Sequence, residues 1–568
     1  MRKMLSLLLC VMYLVVLVAS NLNVKSGGDT HIVPTEYPTI QDAIDAATDG
    51  DIIELLVGTY YESLNISGKK NLSIIGMGAV VEASEGIEVS QCEGVYLEGM
   101  EIFGKVEFIG SKDIRIDGVS VNSVDEGICF ENCSDILIEN TTIDSTYSSI
   151  YANRCEGVEI RDTCIFEMSS EEYDGGILAT DCNGLRLENS TIDCRNIGSH
   201  AVLLERCNSI EFLHMRFMNA SVSIVDMRNC DGIYVMNCIF SGWSIYNGLE
   251  CHGISNFSMR DTFFNNLSTS ILVYSSNNIS FENIQFESVG SNVQFLLETC
   301  GRVRANKLTF SSLESNDVWH GGMELNYVTN SVFEQIDFNV SMYSCIEMVS
   351  CENLTLKDIK SSLIYECGIS IEYSRKCNID GYEGIVKNTN GTMSSVMGLG
   401  VESSNEIYIS NVTLCGVVLP PAGIVSSGMH IHSSELCEVK NCSIRSLTNG
   451  IDLLQYLSSK LSDVEIIDCA YGIVGFTVND AILENVTLKN MLNDGMLISR
   501  SNNLKLRKVM VNSANIGVTC NYVKWCDFDS IICGECARGL VIYVAYATSF
   551  SNINLSGCKV GVSADTLL

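Results

Sequence analysis

Apolar and polar residues alternate in short runs along most of this chain, and in its last third the runs return at a fixed interval. The phrases GMHIH, GIDLL, GIVGF, GMLIS, GVTCN, GLVIY and GVSAD open at Gly428, Gly450, Gly472, Gly495, Gly517, Gly539 and Gly561, in steps of 22, 22, 23, 22, 22 and 22 residues. A constant period of that size, with an alternating apolar phrase in each copy, predicts a stack of β-coils in which every coil pairs with its neighbours.

Upstream the ladder continues through Gly86, Lys105, Gly127, Ser149, Gly176, His200, Ser223, Gly248, Ser270, Asn292, Gly322, Cys345, Gly368 and Gly398, which makes about 21 coils. Residues one and three after each position are expected to point into the core, as Ile128 and Phe130, Met323 and Leu325, or Ile369 and Ile371 would. A second strand in each coil ends in a turn at Asn140, Asn189, Asn237, Asn283, Asn411, Asn441 or Asn485, since asparagine tolerates the left-handed backbone of such turns. The pattern is helical only after Pro38, where Asp42 takes the capping-box position and Ile40, Ala43, Ile44 and Ala47 share a face. That helix would cover the open first coil.

Arg2 and Lys3 followed by an apolar run from Leu5 to Ala19 form a secretory signal pattern over residues 1–20, too short for a membrane span. Residues 21–85 are then the cap and first coils, and 86–568 the repeats of one elongated domain. The mature chain is expected to be secreted or at the cell surface. Its composition adds three constraints. Four prolines against 45 glycines suit strands and tight turns. A net charge of −34 argues against nucleic acid and an anionic lipid surface as partners and allows cations or neutral sugars. Many of the 26 cysteines sit just before a strand, as Cys92, Cys133, Cys155, Cys182 and Cys207 do, and are read as a buried ladder of free thiols.

The segment YPTIQDAIDAATDGDIIELLVGTYYESLNISGKKNLSIIG resembles the N-terminal signature of the right-handed parallel β-helix superfamily. That pectate-lyase-like group includes pectin methylesterases, polygalacturonases, NosD-like proteins and surface proteins with β-helix repeats. The resemblance implies an all-β fold, a single right-handed parallel β-helix with an N-terminal capping helix. It does not carry over an activity. Gly58-Thr-Tyr-Tyr-Glu62 resembles the GxYxE segment of pectin methylesterases, yet QDTL, DFIFG and LGRPW are absent; Cys251-His252-Gly253-Ile254-Ser255 resembles the polygalacturonase GHGIS, without its paired aspartates or RIK.

Four coils are too long: the steps into Gly176, Gly322, Gly398 and Gly428 are 27, 30, 30 and 30 residues. All these insertions fall at one turn, so loops gather on one flank and suit it for binding. They bring aromatic candidates for stacking on a polysaccharide, namely Tyr173, Trp243, Tyr246 and Trp319 with His320. Residues two and four after each position face outward. From Gly322 to Gly450 they form the columns Glu324, Glu347, Ser370, Gly400, His430, Asp452 and Asn326, Val349, Glu372, Glu402, His432, Leu454. Glu372, Glu402 and Asp452 are candidate catalytic carboxylates, and His430 with His432 a candidate divalent-metal pair. The simpler account is that outward strand positions are polar and solvated. Glycan binding or presentation, polysaccharide cleavage by a lyase or hydrolase, and a structural rod that self-associates through an uncapped C-terminal end are the three functions these features allow.

Overall fold

The computed structural model describes residues 28–145, 147–167, 175–194, 200–242, 247–288, 292–312, 318–387, 395–417 and 425–567. The fold is an all-β, right-handed parallel solenoid of about 21 turns with one short helix. It comprises two compact units, Met1–Phe166 and Glu167–Leu568. A coil touches only the coils beside it.

In the first unit each coil contributes strands to three parallel sheets. In the first of these, the ladder sheet, Ile66 stands beside Val89, Val89 beside Phe108, Phe108 beside Phe130 and Phe130 beside Ala152. In the second sheet Leu72, Val95, Ile114, Ile136 and Val158 are in register, and in the third Val81, Ile102, Val121 and Ile143. All are buried. The period-2 alternation therefore does what the sequence predicts: every second residue of each strand enters one continuous apolar core.

The helix spans Ile40–Ala46 and packs Ile40, Ala43 and Ile44 against the first strands. Thr39 is its N-cap, with Oγ1 accepting from the Asp42 amide at 3.0 Å. The amides of Ile40 and Gln41 donate to Glu62 at 2.8 and 3.0 Å, and Tyr60 donates its hydroxyl to the carbonyls of Val33 and Leu56. The GTYYE segment is thus a capping device: its glutamate closes the helix N-terminus and its inner tyrosine ties down the first coil.

Beside this cap Asp51 is buried and accepts from the Asp29 amide, the Thr48 amide and hydroxyl, and pairs with His31 Nε2 at 2.9 Å. The bond to His31, then that from the Thr48 amide, hold its carboxyl well below the usual carboxylate range. A carboxyl depressed by folding stabilises the fold above its unfolded pKa of about 4, and the contribution is lost as pH falls below that toward the folded value. Asp51→Asn is expected to weaken the cap at neutral pH by about 2 kcal/mol and to remove this part of its acid sensitivity. Hydrogen exchange of amides 30–75 against pH measures both; an acid profile identical in the variant would refute the assignment.

The second unit repeats the scheme. Its ladder sheet carries Val225, Leu249, Ile271, Phe295, Met323, Ile346, Ile369, Leu399, Met429 and Ile451 in unbroken inward register. The glycine ladder has a physical cause here. A Cβ on Gly450 would meet the carbonyl oxygen of Gly472 at 2.6 Å, and one on Gly428 that of Gly450 at 2.6 Å. The phrase recurs because each coil passes too close to the next for a side chain.

The expected asparagine turns are present at Asn140, Asn189, Asn237, Asn283, Asn411, Asn441 and Asn485, all with φ between 50° and 57°. Their amides bond from coil to coil, Asn140 to Asp117 at 2.9 Å, Asn283 to Asp261 at 2.7 Å and Asn485 to Asp463 at 2.7 Å. Asn140-Thr-Thr and Asn485-Val-Thr also fit the N-glycosylation pattern, but their amide nitrogens already donate within the ladder.

The cysteines form no disulfide among the described residues, and all but Cys164, Cys415 and Cys558 are buried. At the turn after the ladder strand their thiols donate to the carbonyl two residues back, as Cys133 does to Glu131 and Cys207 to Glu205, both at 3.4 Å. Ser374, Ser404 and Ser434 make the same bond at 2.8 Å in later coils. Cysteine therefore stands where a small buried donor is needed. Burial pushes Cys238 up to about 12 and Cys300 up to about 11, so these groups are thiols rather than thiolates.

Candidate functional site

The outward columns of the second unit's ladder sheet run as the alternation predicts. Glu324 stands beside Glu347, then Ser370, Gly400, His430 and Asp452; Asn326 stands beside Val349, then Glu372, Glu402, His432 and Leu454. The expected stripe is a real juxtaposition. His432 Nδ1 lies 3.8 Å from Glu402 Oε1, and His430 Nδ1 lies 3.8 Å from Asp452 Oδ2. The two rings are 6.1 Å apart, centroid to centroid, at 70°.

Each histidine thus turns to its own carboxylate. Among the described residues no three His, Cys, Asp or Glu side chains are grouped to hold a metal ion. Asp452 is further occupied by the hydroxyl of Ser427 and the amide of Asn449, and Glu372 accepts from Ser370 at 3.2 Å. Glu347 is pushed above the usual carboxylate range by partial loss of water and by the like charges of Glu324, Glu366 and Glu372.

Of the aromatic candidates, Tyr173, Trp243 and Tyr246 lie outside the described residues, as does the side chain of His320. Trp319 does not form the expected exposed platform: it is fully buried, begins the run Trp319, Gly321, Met323, Leu325 that points inward, and stands beside buried Met342. The strand Val318–Asn326 starts before the residue read as loop, and parity with Met323 was the signal for it.

The more closely knit group lies upstream, outside the columns drawn from sequence. Asp226 and Glu250 are neighbours in the first column, and Arg228, His252 and Tyr274 follow one another in the second. Asp226 is fully buried and binds Arg228 Nη2 at 2.7 Å and Nε at 3.2 Å. His252 Nε2 meets Glu250 Oε1 at 3.0 Å, and its ring stacks on Tyr274 with centroids 4.8 Å apart at 10°. Partial burial and the charges of Glu250, Glu298 and Glu324 raise the Tyr274 phenol. The arrangement offers a carboxylate and imidazole in hydrogen-bond contact, a guanidinium fixed from below, and a flat aromatic step. Such a set places hydrogen-bond donors and acceptors beside a flat aromatic ring. The positions two and four after Gly248 and Ser270 include Glu250, His252 and Tyr274; from Ser223, Asp226 and Arg228 sit one place further along.

The protein is a parallel β-solenoid with polar side chains along the outer face of its ladder sheet. The family model described as right handed beta helix region matches residues 104–261 and 397–565, more than half of the chain. The chain belongs to the right-handed β-helix family. No curated protein sequence matches it. Among solved structures it is similar to the Dettilon tailspike protein, at 12% identity over 56% of this chain and 68% of that one with a TM-score of 0.37. The alginate lyase from Paenibacillus sp. shares 12% identity over 52% and 99% of the chains with a TM-score of 0.28. The corresponding values for PfbA, a surface adhesin of Streptococcus pneumoniae, are 12%, 63%, 90% and 0.32. These similarities carry no functional assignment.

Proposed function

We propose that this is a secreted or cell-surface β-helix protein that binds carbohydrate along the ladder face of its second unit. The observation that carries the reading is the Glu250, His252, Tyr274 and Arg228 group, a stacked ring pair flanked by charged hydrogen-bonding groups on a flat parallel sheet. Rings of this kind bury the apolar face of a sugar while carboxylate, imidazole and guanidinium bond its hydroxyls. The basic residues and apolar run at the N-terminus support export. Among the described residues no helix is long and apolar enough to cross a membrane.

The 3.0 Å contact of Glu250 with His252 favours a second reading, a polysaccharide lyase or hydrolase acting on this face. A glycan array on the purified protein, with and without calcium, zinc or copper, followed by product analysis on each hit, separates the two. Under the binding reading His252→Ala weakens retention about tenfold and no product forms. Under the enzymatic reading product forms, and Glu250→Gln lowers its rate by about 100-fold or more while the glycan still binds. A silent array removes both and leaves the structural rod.

A further inference from the structure

We infer a second saccharide site, selective for acidic sugars, at the turn edge between the ladder sheet and the second sheet of the second unit. It rests on the carbohydrate-binding reading but uses none of the residues named there. Three observations converge on it.

The first is an open groove of about 480 Å³ lined by Ser275, Thr299, Gly301, Arg302, Tyr327 and Asn330. Its floor is Gly301, which stands between Asn277 of the preceding coil and Thr329 of the following one. A Cβ there would lie 3.3 Å from the Asn277 carboxamide oxygen and 3.4 Å from the Thr329 hydroxyl. The missing side chain leaves both polar atoms facing the gap.

The second is Tyr327. It occupies a turn position that is left-handed in coil after coil, with φ of 48° to 57° at Ser275, Thr299, Ser350, Ser403 and Ser433 among others. Long side chains stand there as well, at Arg206, Gln455, Arg500 and Tyr522. Tyr327 holds φ 55° with its ring 57% exposed, and Tyr373, two coils on, holds φ 51° and is 63% exposed. Residues of many kinds make this turn, serine among them, so its backbone does not require an aromatic ring and the exposed ring of Tyr327 is free to serve the groove beside it. An exposed ring beside a polar groove is a stacking platform for a sugar face.

The third is charge. In a chain of net charge −34, Arg302 and the next outward residues, Arg304 and Lys307, are exposed and form no ion pair among the described residues. Other arginines, such as Arg228, Arg260 and Arg375, are paired with carboxylates. An unpaired guanidinium on the wall of the groove is suited to a carboxylate or sulfate, which it can hold through two parallel N–H bonds. The negative field of the rest of the molecule opposes unspecific anion binding, so selectivity for such a ligand has to come from this spot.

The test uses the full chain and fluorescently labelled oligogalacturonide, its neutral methyl ester, and a sulfated galactan oligosaccharide, with affinity read by anisotropy at fixed salt. An acidic probe is expected to bind, and Arg302→Gln and Tyr327→Ala each to weaken it about tenfold or more. Gly301→Asn, which restores the residue of the neighbouring coil and so leaves the fold intact, is expected to do the same by filling the floor. The methyl ester should bind less tightly and lose its dependence on Arg302 while keeping that on Tyr327. Binding of acidic probes unchanged in all three variants, equal binding of the ester, or binding of neutral array glycans alone would each overturn this site and leave the carbohydrate reading standing. Absence of binding to every glycan would remove both.

Discussion

Phe310→Ala is expected to destabilise the second unit by about 3–5 kcal/mol, the usual cost of emptying a fully buried phenylalanine site. The ring lies between Phe286, at 4.6 Å and 16°, and Phe338, at 4.7 Å and 21°, in a stack that continues through Phe264 and Phe240 to Phe217. All six are at most 1% exposed. The gap cannot close, because backbone hydrogen bonds hold successive coils about 4.8 Å apart, and two stacking contacts are lost along with the buried area. Phe310→Leu keeps most of the volume and should cost less than about 1.5 kcal/mol. Because stability in a solenoid is a sum over neighbouring coils, the loosening should concentrate in residues 277–349 and fade in coils further away. Denaturant unfolding gives the total and hydrogen exchange its position. A loss below about 1 kcal/mol would mean that the phenylalanine stack does not hold these coils.

Gly450→Val should be of similar size for the opposite reason. The new Cβ would stand 2.5 Å from Ile466 Cγ2 as well as 2.6 Å from the Gly472 oxygen. A side chain can turn away, but that oxygen belongs to the parallel ladder and cannot move without disturbing the pairing of the coil. Overpacking commonly costs about 1–3 kcal/mol; with a backbone atom as the obstacle the upper end is expected, and Gly450→Ala should show a smaller loss in the same direction. Gly68 is the contrast, since its φ is 65° and a Cβ would meet nothing within 4 Å. Gly68→Asn should therefore change stability by less than about 1 kcal/mol. Thermal unfolding of the three variants separates close approach from backbone conformation as the role of each glycine. Equal effects at Gly450 and Gly68 would defeat the distinction.

The limits of reading the chain alone show in particular residues. Glu402 and His432 could be placed side by side from spacing, because a constant period makes residues one repeat apart neighbours in space. The same arithmetic reaches His252 and Tyr274 when carried upstream. It does not reveal that Asp226 fixes Arg228 from beneath, since that depends on which outward residues are nonetheless covered. Trp319 looks like a loop residue in sequence but already belongs to the strand Val318–Asn326, and only the parity of that strand shows which way its ring points. The cysteine ladder was visible, but its reason, a thiol donating to a carbonyl two residues back where other coils use serine, is a matter of turn geometry. Tyr327 gives no signal in sequence, where one aromatic among alternating residues is ordinary; its meaning comes from an exposed ring beside the groove over Gly301.

What the sequence by itself determined is the coil: its period, its inward and outward residues, its turns and its capping helix, because these follow from local alternation and repeat length. What only the tertiary structure decided is where those coils offer chemistry. Pairing of Glu250 with His252 arises from side-chain directions on one strand, and the separate carboxylates of His430 and His432 and the groove over Gly301 from close approaches between residues more than 20 positions apart. A repeat can specify that two residues are neighbours, but whether they meet, diverge or leave a gap is settled by packing.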